Sequence, residues 1–288
     1  MVQNVKSVLK VICLQKSYGD IVAVDGIDFE IESGEIFALL GPNGAGKTTT
    51  VEILEGYRNR DSGEVSVLGH DPAIGGSKGM NWRDRVGMVL QDSADGLDLS
   101  VEETLMHFTK YYSKPRDVDE LIAAVGLTEK RSARVHNLSG GQRRRLDVAL
   151  SLAGSPELLF LDEPTTGFDP EARRAFWDLI QSLRTGGTTI LLTTHYLDEA
   201  EALADRVGVI ARGKLIEIAP PSTLGGREHA QATVSWHNEF GELQVEYTDN
   251  PTALLRVLSA KHEGEIPALL VKRPTLEDIY LKMIGEES

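Results

Sequence analysis

A single cysteine, Cys13, occurs in 288 residues. An internal disulfide is excluded, and this usage fits a reducing compartment. Lys and Arg are outnumbered by Asp and Glu, 30 to 44, which leaves a net charge of −14. That balance argues against broad nucleic-acid binding, which depends on neutralising phosphates with cationic side chains; the excess acid serves solubility. No uninterrupted apolar run approaches the roughly 18 residues needed to span a bilayer. Residues 1–10 have neither a long apolar core nor a small-residue cleavage site, so no signal peptide is read there. Internal repeats and low-complexity tracts are also missing. The expectation is a soluble protein of ordinary composition, long enough for one large domain or for a large and a small one.

Against these absences stands one dense motif. Gly41, Pro42, Asn43, Gly44, Ala45, Gly46, Lys47 and Thr48 fill the phosphate-loop template G-x-x-x-x-G-K-[ST] without a mismatch. Residues 35–40 before it are an apolar run that reads as a buried strand, and residues 49–54 after it, from Thr49 on, read as a helix. A glycine-rich loop between strand and helix lets backbone N–H groups and the helix N-terminus approach a polyphosphate. Lys47 would reach the β- and γ-phosphates as a point charge, and the Thr48 hydroxyl would ligate Mg²⁺. The chain is expected to bind a nucleoside triphosphate.

Two further stretches carry chemistry. Residues 158–161 form an apolar strand ending in Asp162 and Glu163. A carboxylate at a strand end across from the phosphate loop can hold Mg²⁺ through its water shell, which suits Asp162. Glu163, pointing the other way along the pleat, could polarise an attacking water. Ser139 is a good helix N-cap before a helix that carries Leu146, Ala149, Leu150 and Ala153 on one face. Gly140 and Gly141 at that helix start leave N–H groups bare, an anion site for a γ-phosphate. Arg143, Arg144 and Arg145 are read as its solvated face.

With Leu138, Ser139, Gly140, Gly141 and Gln142 in view, the chain resembles the nucleotide-binding subunit of an ATP-binding-cassette (ABC) transporter, whose signature is L-S-G-G-Q. The resemblance covers about residues 8–220 with every motif in order. It implies that Tyr18 stacks on adenine, that Gln91 contacts Mg²⁺ and senses the membrane partner, and that His195 is a switch contacting the γ-phosphate. Gly167, Phe168 and Asp169 match the loop after the acidic motif, Phe168 standing where leucine is commoner. The resemblance further implies ATP and Mg²⁺ as ligands and separate membrane-spanning permease subunits; the net charge of −14 adds the expectation of no nucleic-acid partner. It also implies a second copy or paralogue whose signature closes on this nucleotide. The working place would be the cytoplasmic face of the cell membrane.

The expected fold class is α/β: a P-loop NTPase cassette over residues 1–220, with a helical subdomain at about 92–153. Pro220-Pro221 and Gly225-Gly226 mark a boundary. Beyond it, residues 221–288 are expected to form a small α+β appendage in the order β-β-α-β-α. The tail Pro274-Thr275-Leu276-Glu277-Asp278-Ile279-Tyr280-Leu281 resembles the closing segment of daunorubicin-resistance-type exporter ATPases. An exporter ATPase is therefore the leading reading, with drug-like or lipid-like cargo. A soluble cassette acting on ribosomes or DNA is the alternative, but the chain has one cassette. Only about 46 residues separate Gln91 from Leu138, too few for the long coiled coil of the DNA-repair members. An importer ATPase with a regulatory tail is the third reading.

Overall fold

The computed structural model describes residues 7–74, 82–89, 98–238, 240–262 and 264–285. The chain divides into two compact units, Met1–Ile218 and Ala219–Ser288.

The first unit is organised by a six-stranded sheet. Its strands are β3 (Ile36–Leu40), β5 (Val86–Val89), β6 (Leu158–Asp162), β7 (Thr189–Thr194), β8 (Arg206–Ala211) and β9 (Lys214–Ala219), in the order β5-β6-β7-β3-β8-β9. From β5 to β8 neighbouring strands run parallel. Every residue of β3, β6 and β7 is buried, so continuous apolar runs replace alternation, as strands covered on both faces require. β8 and β9 are joined through Arg212 and Gly213, both at positive φ (49° and 79°), the backbone a two-residue hairpin turn needs.

A second sheet was not read from the sequence. β1 (Ser7–Tyr18), β2 (Ile21–Glu32) and β4 (Ser62–Val67) pair antiparallel in the order β2-β1-β4. Its signal is the alternation of Ile27, Phe29 and Ile31, all buried. Phe29 stacks on Phe37 of the central sheet at 5.4 Å between ring centroids. Helix α1 (Lys47–Leu54) buries Val51, Ile53 and Leu54 in the same cluster.

Three helices form the expected helical part: α2 (Val101–Thr109), α3 (Val118–Ala124) and α4 (Gly140–Ser151). Ser100 with Glu103 and Ser139 with Gln142 make reciprocal capping boxes, and Asp117 caps α3. Such caps satisfy orphan N–H groups and contribute about 1 kcal/mol each. Helices α5 (Pro170–Thr185) and α6 (Leu197–Leu203) complete this unit.

The second unit folds as a three-stranded antiparallel sheet in the order β11-β10-β12, from β10 (Ala232–His237), β11 (Leu243–Thr248) and β12 (Leu270–Lys272). Helix α7 (Pro251–Lys261) follows β11, and α8 (Leu276–Gly285) follows β12. The expected β-β-α-β-α order is present. Val234, Leu258 and Ile266 form its core, with Trp236, Leu254 and Leu255 packed around it.

Candidate active site

Parallel pairing explains why residues far apart in sequence meet. Asp162 pairs with Thr193, and Leu40 pairs with Thr194. The phosphate loop after Leu40, Glu163 after Asp162 and His195 after Thr194 therefore leave the sheet side by side. Carboxyl ends of parallel strands are where open α/β sheets bind ligands.

The loop from Gly41 to Gly46 is shaped by its own chain as much as by any ligand. A Cβ on Gly41 would lie 2.2 Å from the Ile210 carbonyl oxygen, and one on Gly46 would lie 2.3 Å from that of Ala23. Gly44 sits at φ 80°, where a side chain is strained. Pro42, Asn43, Gly44 and Thr48 are exposed, Thr49 is half-buried, and Ala45 and Lys47 are buried. Ala23, Asn43, Gly44, Gly46, Lys47, Thr48, Thr49 and Glu163 line a cleft of about 300 Å³.

Lys47, only 4% exposed, donates from Nζ to the carbonyls of Gly41 (2.9 Å) and Pro42 (3.2 Å) and lies 3.4 Å from Glu163 Oε1. His195 Nδ1 stands 3.2 Å from the same carboxylate oxygen. Glu163 thus faces two basic side chains beside the cleft that the phosphate loop lines.

The pleat does not aim Glu163, as the sequence had suggested. β6 ends at Asp162, and Glu163 turns into the left-handed region at φ 43°. Its N–H donates to the Thr193 carbonyl (3.2 Å) and to Thr193 Oγ1 (3.0 Å). Backbone held there by a neighbouring strand is the sort of constraint found at functional sites. Asp162 is buried and accepts the Thr193 hydroxyl.

One reading is corrected outright. Arg144 does not lie on a solvated face: it is buried, donating to the carbonyls of Asp162 (2.8 Å) and Pro164 (3.1 Å). Arg143 and Arg145 are half-buried, bonding the Val135 and Val125 carbonyls. A guanidinium has enough donors to hold several carbonyls at once, so the start of α4 is tied to the strand end that carries the acidic pair. Glu199, also missed, is buried on α6. It accepts from Thr165 Oγ1 (2.8 Å) and Trp177 Nε1 (3.4 Å), tying the loop after Glu163 to the helix after His195.

Ser139, Gly141 and Gln142 are not brought into the phosphate-loop cleft. They line a different one, of about 500 Å³, with Arg145, Ala172 and residues 126–130. A Cβ on Gly140 would meet nothing within 4 Å, so the fold itself does not demand glycine there. Tyr18 is no core residue: it is 40% exposed at the end of β1, with the Arg58 guanidinium carbon 5.3 Å from its ring centroid. Phe168 packs edge-on against Phe176, and Asp169 caps α5. Gln91 lies outside the described residues.

Glu55, at the end of α1, carries a carboxyl pushed up to about 8, chiefly by burial and then by the charges of Asp162 and Glu52. A pKa raised from 4.5 in the unfolded chain gives stability that is complete below pH 4.5 and is lost as pH rises towards 8, the loss being on the order of a few kcal/mol. Glu55→Gln should therefore leave the melting temperature near that of the parent at pH 5 and raise it at pH 9. Thermal unfolding without nucleotide or metal, across that range, measures the difference; equal gains at both ends would contradict it.

With this geometry in place, the comparisons are decisive. A family model described as ABC transporter matches residues 24–166. The Nod factor export ATP-binding protein I of Burkholderia pseudomallei (strain 1710b) is 37% identical over 95% of this chain and 96% of its own length. The chain belongs to the ABC transporter family. As an ABC cassette it binds and hydrolyses ATP. The daunorubicin resistance ATP-binding protein DrrA3 of Streptomyces coeruleorubidus is likewise 37% identical, over 95% of this chain and 94% of its own. Among solved structures, cbiO1 from Clostridium perfringens, part of the ABC transporter complex cbiONQ, shares 30% identity with a TM-score of 0.68, over 76% of this chain and 90% of that one. A dimeric post-hydrolysis cassette bound to ADP and Pi, 23% identical, superposes with a TM-score of 0.65 over 74% of this chain and 98% of that one. The likeness extends to the fold, whose central sheet and phosphate loop are shared with ABC cassettes.

Proposed function

We propose that this ABC cassette is the ATP-hydrolysing subunit of an exporter, working at the cytoplasmic membrane face with separate permease subunits. One observation carries the reading. Residues 219–288 make up about a quarter of the chain, so matches over 95% of it run through most of the C-terminal unit. The relatives so matched are named for Nod factor export and daunorubicin resistance. Among the described residues no helix is long and apolar enough to cross a membrane, which leaves translocation to partner subunits.

The residues take these roles. Lys47 and the N–H groups of residues 43–48 hold the polyphosphate, and Tyr18 offers its exposed ring to adenine. Mg²⁺ suits the donor set, a hydroxyl at Thr48 and a carboxylate at Asp162, both hard oxygens, with Gln91 as a third; its chemistry is to neutralise charge on the phosphates. Polyphosphate oxygens entering the cleft compete with Glu163 for the Lys47 ammonium. The carboxylate so released accepts the proton of the attacking water, and His195 orients the γ-phosphate. Ser139, Gly140, Gly141 and Gln142 serve the nucleotide of a second copy, since Ser139, Gly141 and Gln142 line a different cleft in their own chain.

Gly140→Ala tests that last role. A methyl fits the monomer and suits a helix start, so thermal stability should hold or rise by up to about 1 kcal/mol. ATP turnover should nevertheless fall at least tenfold, because the bare N–H approach is lost. Full turnover in the stable variant would remove the role.

The exporter assignment is tested by co-expressing the chain with a candidate permease and following labelled cargo into inside-out vesicles. ATP-driven accumulation that depends on Lys47 supports it. Co-purification with a permease but transport in the opposite direction would make the chain an importer subunit, and co-purification with ribosomes alone would overturn both.

A further inference from the structure

Outside the nucleotide site, the C-terminal sheet presents an open edge. Both β11 and β12 are edge strands, and edges are commonly blunted by shortness, Lys or Pro. β12 has these defences: three residues, ending in Lys272 and followed by Arg273 and Pro274. β11 has none. It runs six residues, Leu243, Gln244, Val245, Glu246, Tyr247 and Thr248, without Lys, Arg or Pro.

Its apolar residues all lie on one face. Tyr247 aligns with Thr233 and Lys272, Val245 with Ser235 and Leu270, and Leu243 with His237. Val234, in the alternate row, is the one packed against Leu258 and Ile266, so the Leu243 row faces away from α7. Leu243 is 62% exposed, Val245 48% and Tyr247 67%. Alternation of this kind normally puts polar residues on the open face of a half-buried sheet; here it puts apolar ones there.

We propose that β11 pairs antiparallel with β11 of a second copy of this chain, about a two-fold axis through Val245. The charge pattern selects that partner and that register. Centred on Val245, the strand sets Leu243 against Tyr247, Gln244 against Glu246 and Glu242 against Thr248 of the other copy. Every apolar residue then meets an apolar one, and each Glu246 carboxylate meets an amide. Shifting the centre to Gln244 opposes Glu242 to Glu246, and shifting it to Glu246 opposes that residue to its own copy; both set like charges across the ladder, which is destabilising. Shifts by half a step pair apolar with polar residues and break the face. In a protein of net charge −14, a strand that self-pairs with no like charges directly opposite is a specific property. The joined sheets would carry one apolar stripe across both copies. This contact deepens the two-copy reading given above but needs no nucleotide, so it can fail without touching that reading.

The test uses the full chain without ATP, by sedimentation velocity over a concentration series. The parent should show a monomer–dimer equilibrium. Gln244→Lys, facing Glu246 of the other copy twice per dimer, should tighten it about fivefold, as two exposed ion pairs allow. Gln244→Glu should weaken it by a similar factor. Both substitutions lie on an edge strand and should leave the melting temperature of the single chain and its affinity for ATP unchanged. In a Cys13→Ser background, Val245→Cys should form a disulfide dimer under mild oxidant. A parent that stays monomeric at every concentration overturns the proposal. So does a pair of Gln244 variants that shift the equilibrium in the same direction, or a dimer in which Val245→Cys does not cross-link. Nucleotide-driven closure measured separately with MgATP remains a question of the signature helix.

Discussion

Lys47→Ala is expected to abolish measurable ATP turnover and to lower nucleotide affinity steeply. The side chain is 4% exposed and supplies an ammonium inside the phosphate-loop cleft. A single preorganised donor to a developing oxyanion is worth roughly 10²–10³ in rate, and here the donor is also a full charge in a poorly solvated place. A second effect adds to the first. Among the described residues the basic groups within 4 Å of Glu163 are the Lys47 ammonium and the His195 imidazole, so the variant leaves that carboxylate with the imidazole alone. The carbonyls of Gly41 and Pro42 lose a donor as well. Lys47→Arg should fail to rescue, since a planar guanidinium needs more room than an ammonium in a buried slot. Steady-state turnover and equilibrium binding on the purified variants read the result, with thermal unfolding as the check on folding. Turnover within tenfold of the parent would remove Lys47 from the chemistry.

Much of this site was legible because its chemistry is local in sequence. The phosphate loop needs a strand, three glycines and a Lys-Thr pair in a fixed order, and each leaves its mark in eight residues. Asp162 and Glu163 announce themselves as carboxylates at the end of an apolar run. What escaped the sequence depends on partners far along the chain. Arg144 sits in a run of three arginines that looks like a solvated face, and only the approach of the Asp162 and Pro164 carbonyls makes it an internal strut. The reason for glycine at 41 and 46 was only half visible. A ligand was an adequate explanation, yet the closest atoms are the carbonyl oxygens of Ile210 and Ala23. Glu163 was expected to follow the pleat, whereas a left-handed turn pinned by Thr193 aims it. The sheet of β1, β2 and β4 is less legible because bulges along β1 break its alternation, leaving Ile27, Phe29 and Ile31 in a clean period of two.

Glu163→Gln should be nearly inactive yet fully able to bind MgATP, and it should hold two copies together. The substitution keeps the length of the side chain, and the backbone N–H bonds to Thr193 are independent of it. What it removes is the capacity to accept a proton, a loss that typically costs about 10²–10⁴ in rate. It also removes the anion that stands 3.4 Å from Lys47, so the ammonium has no carboxylate competing with polyphosphate and affinity should hold or rise. If hydrolysis is what releases a nucleotide-bridged pair, the variant should elute as a dimer at saturating MgATP and as the parent does without it. Adding Gly140→Ala to the same chain makes the result specific. The methyl has room in the monomer, so its only expected action is on the surface offered to the other copy's nucleotide. Loss of the MgATP-dependent dimer in the double variant, with binding intact, would place the signature helix at the closing face. A double variant that dimerises as well as Glu163→Gln would show that closure runs through some other surface, and a single variant that hydrolyses normally would take Glu163 out of the proton-accepting role.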